Sequence, residues 1–255
     1  MAVGTAFSSP LLDAGQVRKY AYRHRMGMVP SAEWVVFHDD FTGQVHEGTA
    51  VTNGHAQYQP EYNWNIILDS GATVAVNTTT LIGAWGVLTL ADATASEGAA
   101  IYGEKWFQFI SGKRAFIEAR IYTNDVTDNS VQFGLSDLTA TTDPEDLYDT
   151  TAANLATFGI LDGSAYPTLL CDEANAGTAA IAQTSKLMVA STWHVLAMYY
   201  DGTNLHAYVD GDRVITTATT VPEAVALAPF FSHRNGNGAG GNVVAIDYLR
   251  VVSER

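Results

Sequence analysis

A chain with 27 acidic residues has the raw material for carboxylate chemistry. A retaining glycosidase needs two such groups about 5–5.5 Å apart across the bond it cuts, and the acids here are not spaced for it. Glu118 stands in Phe-Ile-Glu-Ala-Arg, where the next residue on its face is Arg120. It reads as a strand-face residue paired with Arg120 or with a cross-strand partner. Asp210 and Asp212 are two apart but fall in a tight turn. Asp143, Glu145, Asp146 and Asp149 form the densest acidic run. Clustered carboxylates suit a hard cation such as calcium, yet this run has no glycine for the sharp turn of an EF-hand, so a solvated loop is expected.

Other nucleophiles and ligands are equally dispersed. His24, His38, His46, His55, His194, His206 and His233 show no H-x-x-x-H spacing. Cys171 lies beside Leu169 and Leu170 with no basic neighbour to stabilise a thiolate, which predicts a buried, inert thiol. Gly236, Gly238 and Gly241 fit G-x-G-x-x-G. That motif works only where a strand feeds a helix inside a parallel βαβ unit, and Val243–Val252 reads as a strand. There is no G-x-S-x-G elbow. The expectation is a protein that is not an enzyme and carries no cofactor or metal.

The elements that would position any site are strands. Trp193 to Ile215, WHVLAMYYDGTNLHAYVDGDRVI, contains two Asp-Gly turns around one alternating segment. Gly accepts positive φ without a clash and Asp bonds its own backbone, so each pair favours a hairpin. Leu205, Ala207 and Val209 point one way, and His206 and Tyr208 the other. Further strands are expected over Glu33–Phe41, Ile66–Leu68, Ala72–Asn77, Gly86–Leu90, around Ile117, Ala119 and Ile121, over Val131–Leu135, Leu155–Leu161, Thr168–Cys171, Val225–Ser232 and Val243–Val252. Ser70–Ala91 carries no charge. Its threonines and glycines fit two strands and a turn better than a membrane span.

The Trp193–Ile215 stretch, with strands ending in Tyr-Asp-Gly and Tyr-Val-Asp-Gly, resembles concanavalin A-like jelly-roll domains, the laminin-G, pentraxin and legume-lectin relatives among them. Other antiparallel sandwiches share such turns. "FIEARIY … VQFGLSD" is similar to domains of this type in tailed-bacteriophage virion proteins, and Ile246–Val251 looks like the last strand of the same superfamily. The resemblance covers about residues 100–255. It implies an all-β, antiparallel jelly-roll β-sandwich. The glucanases of that superfamily carry E-x-D-x-x-E or E-x-D-x-E on one strand, and neither occurs here.

Residues 1–30 differ from the rest. Arg18, Lys19, Arg23 and Arg25 against Asp13 give them +3, which puts −17 on the remainder of a chain whose total is −14. Pro10 and Pro30 bracket the segment. It reads as an extended N-terminal arm, with residues 31–255 as the sandwich. A frayed terminus is the alternative. The mixture of basic and aromatic residues favours docking on an acidic surface through Phe7, Leu11, Leu12, Arg18, Lys19, Tyr20, Tyr22, Arg23 and Arg25. The acidic body argues against nucleic acid, and no secretory signal is visible.

Two functions are therefore expected. The first is a structural protein of a virion assembled in the host cytoplasm, decorating or cementing a phage capsid. It would contact the major capsid protein or neighbouring subunits, as a homo-oligomer. The second is a carbohydrate-binding module or tail-fibre adhesin, with Tyr58, Tyr62 and Trp64 as candidate sugar-contacting aromatics, set against the alternative that these rings pack on the edge of the sandwich.

Overall fold

A computed structural model describes residues 34–39, 41, 64–77, 87–137, 143–149, 152, 154–173, 182–217, 221–236 and 241–254. Among these lie fifteen strands: β1 (Trp34–Asp39), β2 (Asn65–Leu68), β3 (Thr73–Asn77), β4 (Val87–Asp92), β5 (Gly98–Tyr102), β6 (Ala115–Thr123), β7 (Asn129–Ser136), β8 (Leu155–Leu161), β9 (Ser164–Asp172), β10 (Ala182–Gln183), β11 (Thr192–Tyr200), β12 (Leu205–Val209), β13 (Asp212–Thr217), β14 (Ala228–Asn235) and β15 (Asn242–Glu254). The one helical segment among the described residues is a 3-10 turn, Pro144–Leu147.

The strands form two antiparallel sheets. One runs β13-β12-β11-β6-β15-β4-β3, with β1 also paired to β15; the other runs β10-β9-β8-β7-β14-β5-β2. Their facing sides enclose one apolar core. Ile117, Ala119, Ile121, Met198, Leu249 and Val251 come from the first sheet, and Val131, Phe133, Phe158, Cys171 and Phe231 from the second. The fold is the expected all-β jelly-roll sandwich. The Asp-Gly turns form as read: Asp210 and Gly211 both take positive φ, 53° and 88°, the conformation a two-residue hairpin demands. Asp201 Oδ1 accepts from the N–H groups of Thr203 and Asn204 at 2.9 and 2.7 Å.

Strand β5 was not among the expected strands. Its Gly-Ala-Ala start lacks the branched and aromatic residues that mark strands, but all five of its residues are buried. Small size is required there, since a Cβ on Gly98 would lie 2.2 Å from the His233 carbonyl oxygen. The acidic run also departs from its reading as a solvated loop. Asp143 caps the 3-10 turn by accepting from Glu145 N–H at 2.9 Å. Glu145 pairs with Arg234, and Ser232 Oγ donates to the Pro144 carbonyl at 2.9 Å. Leu147 and Tyr148 thereby join a second apolar layer with Ile67, Tyr102, Leu155 and Phe230. A segment chosen by composition as surface is half-buried because its apolar residues close the outside of the second sheet.

Beside that layer, Asp69 Oδ2 accepts from Gly98 N–H at 2.9 Å. Burial holds its carboxyl up at about 6 although that bond opposes the shift, and the charges of Asp143, Glu97 and Asp92 add to the rise. A carboxyl whose folded pKa lies above its unfolded value is a cost when ionised and binds its proton more tightly in the fold. The resulting penalty is full above about 6 and disappears as pH falls toward the unfolded value. Asp69→Asn should therefore raise the melting temperature at pH 8 and leave it unchanged at pH 4, as measured by calorimetry at both pH values.

Candidate functional site

The outward side of the first sheet carries a grid of polar and aromatic side chains. Strand β6 is its axis. Across from Glu118 stand Ala197 on β11 and Arg250 on β15; across from Arg120 stand Val195 and Tyr248; across from Tyr122 stand Trp193 and Ala245. Strict alternation would give one β15 residue per β6 residue. Instead the register shifts between Ile246 and Tyr248, and Asp247 is the extra residue. A bulge of this kind sets two residues opposite one and re-aims a side chain. Ile246 and Leu249, three apart, both lie in the core, so Asp247 and Tyr248 share the outer face beside Arg120.

Arg120 is held from two sides. Its Nη1 donates to Asp247 Oδ2 at 2.7 Å, and its guanidinium lies 4.6 Å from the ring centre of Trp193, a favourable cation–π position. Trp193 in turn packs on Tyr122, with ring centres 5.6 Å apart. Arg120 and Asp247 keep 30% and 24% of their side-chain surface exposed, and Trp193 and Tyr122 are half-buried. The result is a fixed charged fork next to two tilted aromatic rings, all reachable from solvent.

One step along the strands the character changes. Glu118 and Arg250 keep 3% and 6% of their side-chain surface. Glu118 Oε1 accepts from Tyr248 Oη–H at 2.8 Å and lies 3.7 Å from Arg250 Nη1. Arg250 stacks 5.5 Å from the Tyr248 ring centre, and His38 packs on the same ring at 5.9 Å. Beyond them Phe116, Ala197 and Val252 form an apolar patch with Val36, Tyr199 and Tyr208 at its margin. The expected cross-strand partner of Glu118 is thus Arg250 with Tyr248, while Arg120 is engaged by Asp247.

Trp64 requires a correction. It is 2% exposed, its Nε1–H donates to Asp39 Oδ2 at 2.8 Å, and it packs edge-on to Phe37 at 5.4 Å. A ring so enclosed is core and offers no face to a sugar; its large apolar area is worth more buried than exposed. Tyr58, Tyr62 and the arm residues Phe7, Leu11, Leu12, Arg18, Lys19, Tyr20, Tyr22, Arg23 and Arg25 lie outside the described residues. The sequence reading missed Trp193, Tyr122, Asp247 and Tyr248 as a group. The signal for them was available in the break of alternation between Ile246 and Leu249.

Other reactive groups are spent on structure. Val189 N–H donates to His194 Nε2 at 2.9 Å, so Nδ1 carries the proton and donates to Asp210 Oδ2 at 2.9 Å. His206 Nε2 donates to Asp201 Oδ2 at 3.0 Å. Burial pushes the Cys171 thiol up to about 12, which leaves no thiolate at neutral pH. Among the described residues no three His, Cys, Asp or Glu side chains gather as a metal cluster. Because Glu118 and Arg250 are both desolvated, removing one leaves the other's buried charge less well offset. Glu118→Ala should cost about 3 kcal/mol in urea unfolding, and Arg120→Ala, at a partly exposed pair, less than about 1 kcal/mol.

Solved structures with the same fold fall on both sides of the lectin–enzyme divide. The Emp47p carbohydrate recognition domain superposes with a TM-score of 0.56 at 12% identity, covering 77% of this chain and 90% of that one. Peanut lectin, solved with a 9mer peptide, gives 0.52 at 13% identity over 87% and 98% of the two chains. A glycoside hydrolase family protein from Mycobacterium thermorestibile gives 0.50 at 17%, over 85% and 100%. At these identities the likeness is one of fold. No curated protein matches the sequence. Residues 116–254, more than half of the chain, match the family described as the concanavalin A-like lectin/glucanases superfamily, and the chain belongs to it.

Proposed function

We propose that the protein is a non-catalytic recognition module that binds carbohydrate on the outward side of its eight-stranded sheet, at Trp193, Tyr122, Arg120 and Asp247. The observation that carries this reading is the solvent-reachable pair of aromatic rings beside a prepaired Arg–Asp fork. A pyranose presents an axial C–H face and an equatorial rim of hydroxyls. The first stacks on an aromatic ring, and the second needs donors and acceptors held in fixed directions. Arg120 offers remaining N–H donors and Asp247 remaining lone pairs, and their mutual ion pair reduces the ordering cost of binding. A non-catalytic role fits the state of the carboxylates on this face. Glu118 is enclosed by Tyr248 and Arg250 and Asp247 is tied to Arg120, so neither is placed as a free acid or nucleophile. The carbohydrate recognition domain and the lectin among the structural neighbours are compatible with this use of the fold.

A glycan array with the full chain is the test. Wild type should bind a defined set of glycans, and Trp193→Ala should weaken that binding at least about tenfold, equivalent to about 1.4 kcal/mol. A wild type blank on the array, or a Trp193→Ala that binds as well, overturns the reading.

The charge contrast favours a second reading, in which the module is a virion component anchored by its arm. A +3 segment of thirty residues on a −17 body supplies attraction where copies of the body repel. Its apolar residues would provide the binding energy and its charges the direction. The partner would be a tailed-phage capsid shell or a neighbouring subunit in the same ring. Deleting residues 1–30 should leave the melting temperature nearly unchanged and abolish binding to particles, measured by co-sedimentation. Full occupancy by the truncated chain counts against it.

A further inference from the structure

At one end of the core the two sheets face each other with polar side chains instead of apolar ones. Alternation from the core residues Leu88 and Leu90 turns Asp92 inward on β4; Phe231 likewise turns His233 and Asn235 inward on β14, and Val131 turns Asn129 inward on β7. Asp92 and Asn235 are each 2% exposed, and His233 and Asn129 fully buried. Among the described residues, three atoms of this layer have no hydrogen-bond partner: Asp92 Oδ2, Asn235 Oδ1 and His233 Nε2. Orphaned polar atoms are rare in protein interiors and ask for an explanation.

The proton bookkeeping makes all three of them acceptors. Thr123 Oγ1 donates to the Asp125 carbonyl, so it accepts from Asn129 Nδ2–H at 2.9 Å. That fixes the Asn129 amide and presents its Oδ1, 2.7 Å from His233 Nδ1. Nδ1 therefore carries the ring proton, and Nε2 is a bare lone pair. Asn235 spends its Nδ2 on the carbonyls of Asp92 and Thr94, at 3.0 and 2.8 Å, which leaves Oδ1 as the free end. Asp92 Oδ1 accepts from Thr94 N–H at 2.8 Å, which leaves Oδ2.

We infer that this layer is a divalent metal site, with Asp92 Oδ2 and Asn235 Oδ1 as oxygen ligands and His233 Nε2 coordinating directly or through one bound water. A single water has only two protons and cannot satisfy three lone pairs, nor does it offset a carboxylate held out of solvent. A cation does both. A mixed set of imidazole, carboxylate and amide oxygen suits Zn2+ or Mn2+ better than Ca2+, which takes oxygen ligands alone. The Asn129 oxygen on His233 Nδ1–H is the outer contact that orients a metal-bound imidazole and fixes its tautomer. Because the ligands come from both sheets, the ion would tie the two layers together at this end.

The test uses the full chain, purified without chelator. After EDTA treatment, titration with Zn2+ or Mn2+ should raise the melting temperature by about 5 °C or more at a hundredfold excess over Kd. Asp92→Asn and His233→Gln should each remove most of that rise. Soaking wild-type crystals with Mn2+ should give an anomalous peak between Asp92 and Asn235, an outcome that does not depend on either variant folding. No metal-dependent shift in wild type, an equal shift in both variants, or water alone at that position overturns the inference.

Discussion

Strand β15 is the member on which the first sheet depends. Its thirteen residues pair with β6 along one edge, and with β4 and then β1 along the other. Three strands distant in the chain are thereby aligned by a single backbone ladder. A ladder of that length fixes register strongly, because a one-residue slip would move every core side chain to the outer face. The bulge at Asp247 lets the strand break that rule once without losing either half of its pairing. On both sides of it the apolar residues still face the core.

The bulge also explains why chemistry collects where it does. A regular strand could set only one side chain opposite Arg120. The extra residue sets Asp247 and Tyr248 there together, one for the guanidinium and one for Glu118. Charged residues in the middle of a sheet face would otherwise repel or desolvate one another. Here each cation has a carboxylate and an aromatic ring, Arg120 with Asp247 and Trp193, and Arg250 with Glu118 and Tyr248. The two couples differ in burial, and with it in role. The enclosed one is structural, and the reachable one is available to a ligand.

The two outer faces of the sandwich are treated differently. The second sheet is closed by Leu147 and Tyr148 of the acidic 3-10 turn, which turns that side into a second apolar layer. The first sheet keeps the Arg120 region open. A fold shared by carbohydrate-binding domains and glycoside hydrolases places no limit of its own on function. The difference lies in which face is open and which carboxylates on it are free.

Much of this fold is legible in the amino-acid order. The Asp-Gly pairs at 201–202 and 210–211, the alternation around Ile117 and Leu205, and the turn residues between runs determine antiparallel strands, because turn geometry and side-chain period are local properties. The buried, unreactive state of Cys171 also follows from its apolar neighbours. Local pattern is silent about β5, whose Gly98 and Ala99 have no strand preference and whose Gly98 is required by the backbone that passes beside it. It leaves Trp64 open between a sugar-contacting ring and a packed one, and misplaces the 143–149 run as solvated, since exposure depends on what packs on top. The Arg120 site is intermediate. Residues 120, 193 and 247 are far apart in the chain, and only pairing brings them together, although the three-residue step from Ile246 to Leu249 records the bulge that makes it possible. What local chemistry can specify, the sequence states outright; what depends on which strand lies beside which is decided when the two sheets close.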